Sequence, residues 1–241
     1  MREVVTARCR LTILFLLTSL VLSAQMINPY VDNRRFHIGF LLGMNLMSYR
    51  VYDSHVELDG EIYHVRVSSL LPGFHVGFVS DLRLTKHLSL RFTPELEFSS
   101  RSISYKNESG NPIASPSGNK SVIDILSIPI SVPLYLKFAA DREVNYRPYV
   151  IGGGGFSYNV SRDREKPVLT NGLDYFVSVG IGCDIYLKWF KLCPEIKFQV
   201  GFADVLTPVE KRPELPTHDY FYTKAIKKMY TRMISLTFNF E

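Results

Sequence analysis

Ionisable residues recur in this chain inside segments that are otherwise apolar, always one position out of phase with the apolar residues. They are Asp81, Arg83, Arg91, Glu95, Glu97, Lys137, Asp184, Glu195 and Lys197. Gathered in one narrow interior, these groups could do either of two things. They could pair and hydrogen-bond as a filling, which ionised side chains require once taken out of water. They could instead form a proton or ion path. Paired filling is the expectation and a path is the alternative.

Other side chains offer less. The six histidines (37, 55, 64, 75, 87 and 218) show no HExxH or paired-ligand spacing, so no metal and no cofactor is expected. A lipid-modifying enzyme would need a Ser–His pair near one rim. His55, His64 and His218 have serines nearby, but no spacing marks a nucleophile, and no catalytic residue is assigned. Lys224, Lys227, Lys228 and Arg232 form a basic cluster near the C-terminus. It reads either as a solvated rim or as a contact for lipopolysaccharide phosphates, because cationic side chains suit anionic headgroups. Before it, Tyr220, Phe221 and Tyr222 follow a proline-bearing stretch and could dock another protein. The sequon Asn107-Glu108-Ser109 is a pattern match only.

The elements that must hold these residues are strands. From Leu126 to Phe138 the apolar residues Leu126, Ile128, Ile130, Val132, Leu134, Leu136 and Phe138 alternate with Ser127, Pro129, Ser131, Pro133, Tyr135 and Lys137. That is a period of two, sustained long enough to cross a bilayer at a tilt. The pattern returns at Phe36–Arg50, Gly73–Leu84, Leu88–Ser99, Leu173–Leu187, Leu192–Phe202 and Tyr230–Glu241. It is erased only in Arg147–Val160, where Gly152 to Gly155 leave the parity open. Within 51–70, Asp59-Gly60 signals a hairpin turn, so the first connection is expected to carry extra strands. Residues 102–121, rich in Ser, Asn, Gly and Pro, read as a loop, as do the charged 161–172 and the long 203–228.

Eight strands with connections alternately long and short predict an all-β, eight-stranded antiparallel up-and-down transmembrane β-barrel over 36–241. Its apolar face points to lipid and its charges point inward. The even count places both termini in the periplasm of a Gram-negative bacterium. A lipocalin-like cup, apolar inside and charged outside, has the same alternation. Parity alone does not separate the two.

The N-terminus favours the membrane. Arg2, Arg8 and Arg10 precede the uncharged run Leu11–Leu22 and the small residues Ser23 and Ala24. This is a signal-peptide pattern over 1–24, and its apolar run is too short to span a bilayer. Residues 25–35 read as a periplasmic tail. Cleavage would remove three of the 28 basic and one of the 23 acidic residues, leaving 25 against 22, too little excess to imply nucleic acid. Hydrophobic residues make up 46% and mean hydropathy is +0.03, values that suit alternating strands as well as a soluble protein. Cys9 would leave with the signal. Cys183 and Cys193 differ in parity, whereas residues opposed across an antiparallel pair share a face, so two free thiols are expected, with Cys193 beside Asp184.

The segments LSIPISVPLYLKF, RPYVIGGGGFSYNV, DYFVSVGIGCDIYL and CPEIKFQVGFADVL resemble the IPL–LK, PY–G–G, Y–V–G–G and E–K/R–G–D runs of the PorT-type outer-membrane barrels of the Bacteroidetes. The opening FHIGFLLGMNLMSYRV and the ending FYTKAIKKMYTRMISLTFNFE strengthen the likeness, which covers nearly all of residues 25–241. It implies a structural, non-enzymatic part of the type IX secretion system, exporting folded proteins across the outer membrane. It implies outer-membrane lipid, lipopolysaccharide and other secretion-apparatus proteins as partners, with no small-molecule substrate and no catalytic residue to carry over. A freestanding structural or adhesive small barrel is the alternative, and a lipid-modifying barrel enzyme a further one. Glu241 departs from the terminal Phe common in such barrels, leaving Phe240 to serve one place earlier.

Overall fold

A computed structural model describes residues 34–54, 57–58, 61–62, 64–106, 122–161, 169–208 and 220–241. The expected signal peptide, residues 25–33 of the tail, the sequon, His55 and His218 lie outside them. Alternation becomes strand throughout. The strands are β1 (Phe36–Asp53), β2 (Glu57–Leu58), β3 (Glu61–Ile62), β4 (His64–Leu70), β5 (Pro72–Arg83), β6 (Leu88–Phe92) and β7 (Glu95–Lys106). They continue with β8 (Val122–Ser127), β9 (Pro129–Ala139), β10 (Tyr146–Asn159), β11 (Leu173–Tyr186), β12 (Lys191–Gly201) and β13 (Ile226–Phe240). A short helix, α1 (Tyr220–Lys224), precedes β13.

Eleven of these segments form one antiparallel sheet. It closes because β1 pairs with β13 on one side and β5 on the other. Three interruptions, at Leu71, at Thr93-Pro94 and at Ile128, divide single crossings into β4/β5, β6/β7 and β8/β9, so the ring has eight staves. Pro94 and Pro129 sit at or beside two of these breaks, where a missing N–H costs least. The remaining pair, β2 with β3, joins Glu57 to Ile62 and Leu58 to Glu61 and so brackets the expected Asp59-Gly60 turn.

Side-chain direction decides between the barrel and the cup. Ile38, Phe40, Met44, Phe74, Phe78, Leu136, Phe138, Val179, Ile181 and Ile196 lie exposed on the outer wall, while Asn45, His75, Arg91, Glu97, Lys137 and Asp184 are buried inside. An exterior this apolar needs hydrocarbon against it. Its height fits: Phe36 to Leu46 covers roughly 33 Å of strand, about 25 Å once tilted by about 40°. Aromatics mark both edges, with Phe36, Trp189 and Phe190 at the short-turn end and Tyr158, Tyr175 and Phe202 at the other.

Three expectations change in detail, the first being that the last strand starts at Ile226 and a helix precedes it, both inside the connection expected over 203–228. The loop expected from residue 102 begins later, because β7 runs on to Lys106 against β4 and β8. The open parity of the glycine strand is resolved. Tyr149, Ile151, Ser157 and Asn159 are buried, Val150, Phe156 and Tyr158 are exposed, and Gly153 and Gly155 share the inward parity.

Beyond the apolar band the polarity of the wall reverses. Tyr49, Val65, Ile103, Tyr105, Ile125, Tyr222, Ile226 and Met229 keep the inward parity or pack beneath it and form an apolar core that caps the barrel. Their outward neighbours there include Arg50, Arg66 and Lys106. Outside that part of the wall is water, so the hydrophobic effect turns the same strands the other way round.

Candidate functional site: a filled lumen and a cationic seam

Inward positions of six crossings bring the charges together at the short-turn end. Arg91, fully buried at the centre, donates from Nη2 to Asp81 at 2.8 Å and to Glu241 at 2.6 Å, and from Nη1 to Glu195 at 3.1 Å. Such planar, charge-assisted contacts suit a guanidinium. Tyr149 donates its hydroxyl to Glu195 at 2.8 Å, and its ring lies 4.1 Å below the Lys137 ammonium. Lys137 donates to both oxygens of Asp184, at 2.7 and 2.8 Å, and Lys191 stands 2.5 Å from Glu241. The terminal Glu241, unlike a terminal aromatic, thus turns its side chain into the lumen and locks it.

Midway, Glu95 lies between Lys197 and His75, at 3.8 and 3.9 Å. Glu97 accepts from Ser131 at 2.6 Å, and His75 meets the Thr237 hydroxyl at 2.9 Å. Further up, Arg101 stacks 3.9 Å over Tyr49, and Asp174 accepts from Thr231. A cavity of about 30 Å³ lies among Glu97, Arg101 and Asp174, room for about one water. Above it begins the apolar cap.

Eight of the nine expected lumen charges therefore converge. Arg83 does not: at the very end of β5, it is half-buried and donates to the Thr85 carbonyl at 3.1 Å. Arg101, Lys191, Tyr149 and Glu241 join the interior unexpectedly, and His75 and Asp174 join it as their parity implies. Inward parity would have found Arg101 by extending β7, but Lys191 lay in an expected turn and Tyr149 beside the glycines. Among the described residues no group of His, Cys, Asp and Glu could hold a metal ion.

Part of the rim at the short-turn end is internally matched. Lys86 pairs with Asp141 at 2.6 Å, and that hydrogen bond holds the Asp141 carboxyl below the usual carboxylate range. Arg142 donates to the Val144 carbonyl, and Arg147 to the carbonyls of Ala140 and Lys86.

The basic cluster of the C-terminus divides. Lys228 and Arg232 are exposed on the outward parity of β13, opposite Tyr52 and Ser48 of β1. The register skips from Tyr52–Lys228 to Asp53–Ile226, so Lys227 is the extra residue of a β-bulge and is exposed as well. Lys224 ends α1, exposed. The aromatic cluster is corrected. Tyr222 is not a docking side chain but is 2% exposed, edge-on to Tyr105 in the cap and accepting the Tyr105 hydroxyl at its carbonyl. The side chains of Tyr220 and Phe221 lie outside the described residues.

Both described cysteines are free, Cys183 half-buried on the outer wall and Cys193 buried inside, across from Asp184 between the pairs Gly182–Glu195 and Ile185–Leu192. In folded protein a charged maleimide should label neither, a lipid-soluble one should label Cys183, and denaturation without reductant should expose both. Mass spectrometry finding no alkylatable thiol after denaturation would contradict this pairing state.

Residues 23–207 match the model of a family described as the outer membrane protein β-barrel domain. No curated protein matches the chain. Among solved structures it is similar to the outer membrane protein OprG from Pseudomonas aeruginosa, with 11% identity, 85% of this chain and 92% of that one covered, and a TM-score of 0.45. It is also similar to Neisserial surface protein A (NspA), with 11% identity, 84% and 97% covered, and a TM-score of 0.39. With the family match covering most of its length and a closed ring greasy outside and ionised inside, the chain belongs to the outer membrane protein β-barrel domain family.

Proposed function

We propose that this barrel is a non-enzymatic structural component of the type IX protein secretion apparatus, as PorT-type barrels are, and that it works through its loops, tail or rim. The observation that carries the reading is the interior: among the described residues ion pairs fill one end and an apolar core the other, with a small cavity of about 30 Å³ between. A lumen so occupied passes neither protein nor solute, which leaves the outer surfaces to do the work. The motif resemblance supplies the apparatus. In this reading the long connections face outward and both termini lie in the periplasm, where other secretion proteins would be met.

Deleting the gene tests it. Failure of many secreted proteins to reach the cell surface, restored by the wild-type chain, is the expected result. Normal secretion with changed adhesion would select a freestanding barrel, and altered lipid A acylation would select an enzyme. The purified protein in a planar bilayer should show no reproducible single-channel conductance.

A further inference from the structure

We propose that the seam between β1 and β13 binds the phosphate groups of an outer-leaflet lipid of the lipid A kind. The register builds the site. Arg50 stands opposite Tyr230, with Arg232 and Lys228 two positions to either side of Tyr230 on the same outward face. Diagonal neighbours of this kind lie about 7–8 Å apart, a spacing that two or three cations can share around one phosphate. Tyr52 and Tyr230 meet edge-on at 6.0 Å, and the Arg50 guanidinium lies 5.1 Å over Tyr52, which orders the cluster.

Its depth matches a headgroup. Arg232 lies one outward step beyond Ile234, and its partner on β1, Ser48, lies one outward step beyond the apolar Leu46. Arg50 lies one outward step further. At about 3.3 Å per residue and a tilt of about 40°, these guanidiniums sit roughly 5–10 Å beyond the hydrocarbon edge. Lipid phosphates occupy that level.

Its charge is also unspent. Among the described residues no carboxylate pairs with Arg50, Lys228 or Arg232. The nearest one along β1, Asp53, already accepts from the Val65 amide at 3.1 Å and faces His64 at 3.1 Å. At the opposite rim Lys86 is bound to Asp141, and Arg83, Arg142 and Arg147 to carbonyls, while Arg34 and Arg35 lie exposed before β1. Three cations gathered on one outward face, at headgroup depth and beside aromatic rings, fit an anionic lipid surface.

The proposal rests on the orientation in which the long connections face outward, and its failure can be told from failure of that orientation. The binding measurement is native mass spectrometry of the full chain in detergent, titrated with bisphosphorylated lipid A, which does not depend on orientation. Arg50→Gln/Lys228→Gln/Arg232→Gln should weaken retention about 100-fold, and removing the lipid phosphates should have a similar effect. Lys86→Gln at the other rim should change nothing. The single variants Arg50→Gln and Arg232→Gln, each expected to lose about five-fold, serve if the triple variant does not fold. Equal retention by these variants, equal binding of phosphate-free lipid A, or equal competition by phosphatidylglycerol or inorganic phosphate would overturn the proposal. Orientation is read separately, from labelling of a Lys106→Cys variant in intact cells with a membrane-impermeant maleimide.

Discussion

Arg91→Leu is expected to cost about 3–5 kcal/mol of stability, because it removes the one cation that Asp81, Glu195 and Glu241 share. The loss exceeds that of an exposed ion pair for a physical reason. Attraction inside the wall repays the desolvation of four groups, and deleting one partner leaves three carboxylates desolvated with too little to neutralise them. Each carboxylate keeps one other cation, Lys137 at 3.7 Å from Asp81, Lys197 at 3.7 Å from Glu195 and Lys191 at 2.5 Å from Glu241, which limits the loss without cancelling it. Urea unfolding in micelles, followed by heat-modifiable mobility on a gel, measures the effect. Adding Asp81→Leu to Arg91→Leu should recover part of the loss. A change below about 1 kcal/mol, the scale of a solvated surface pair, would mean the cluster is wet and contributes little.

Gly155→Ala should be nearly as damaging, at about 3 kcal/mol, while Gly152→Ala three residues away should be close to neutral. A methyl on Gly155 would meet the Val132 carbonyl and the Pro133 backbone, which cannot step aside without breaking the β9–β10 ladder. Gly152 faces outward, where a methyl would find only Val179 at 4.0 Å. Alanine there also restrains the unfolded chain, which offsets any slight crowding. Comparing the midpoints of the two variants tests the close approach directly. Equal midpoints would mean that the strands separate enough to admit a side chain.

The belt of the barrel was legible because one solvent acts on each face. Lipid outside and a narrow interior inside force a clean period of two, so β5, β9, β11 and β12 could be read with their parity. The glycine strand was not legible. Four residues without side chains carry no polarity, and only pairing with β9 and β11 shows which of them face in. The upper part of β7 was misread for another reason. Ser99 and Arg101 are polar and inward, Ile103 and Tyr105 apolar and inward. With no apolar outward face to mark a strand there, the Ser, Asn, Gly and Pro content from residue 102 onward reads as a loop. The barrel and the cup are in this sense both present, stacked along the same staves. The seam escaped for want of register: Lys228 and Arg232 were evident as basic residues, but Arg50 lies some 180 positions earlier and becomes their neighbour only when the ring closes.

That reversal of polarity takes place within unbroken chain. β1 runs from Phe36 to Asp53 and β13 from Ile226 to Phe240 without a joint at the water boundary. A load applied to the cap by anything gripping it would pass down these two strands as along a strut, to the Arg91–Glu241 lock at the far end. The cap and the ion-paired end are thus the two ends of one continuous pair of strands.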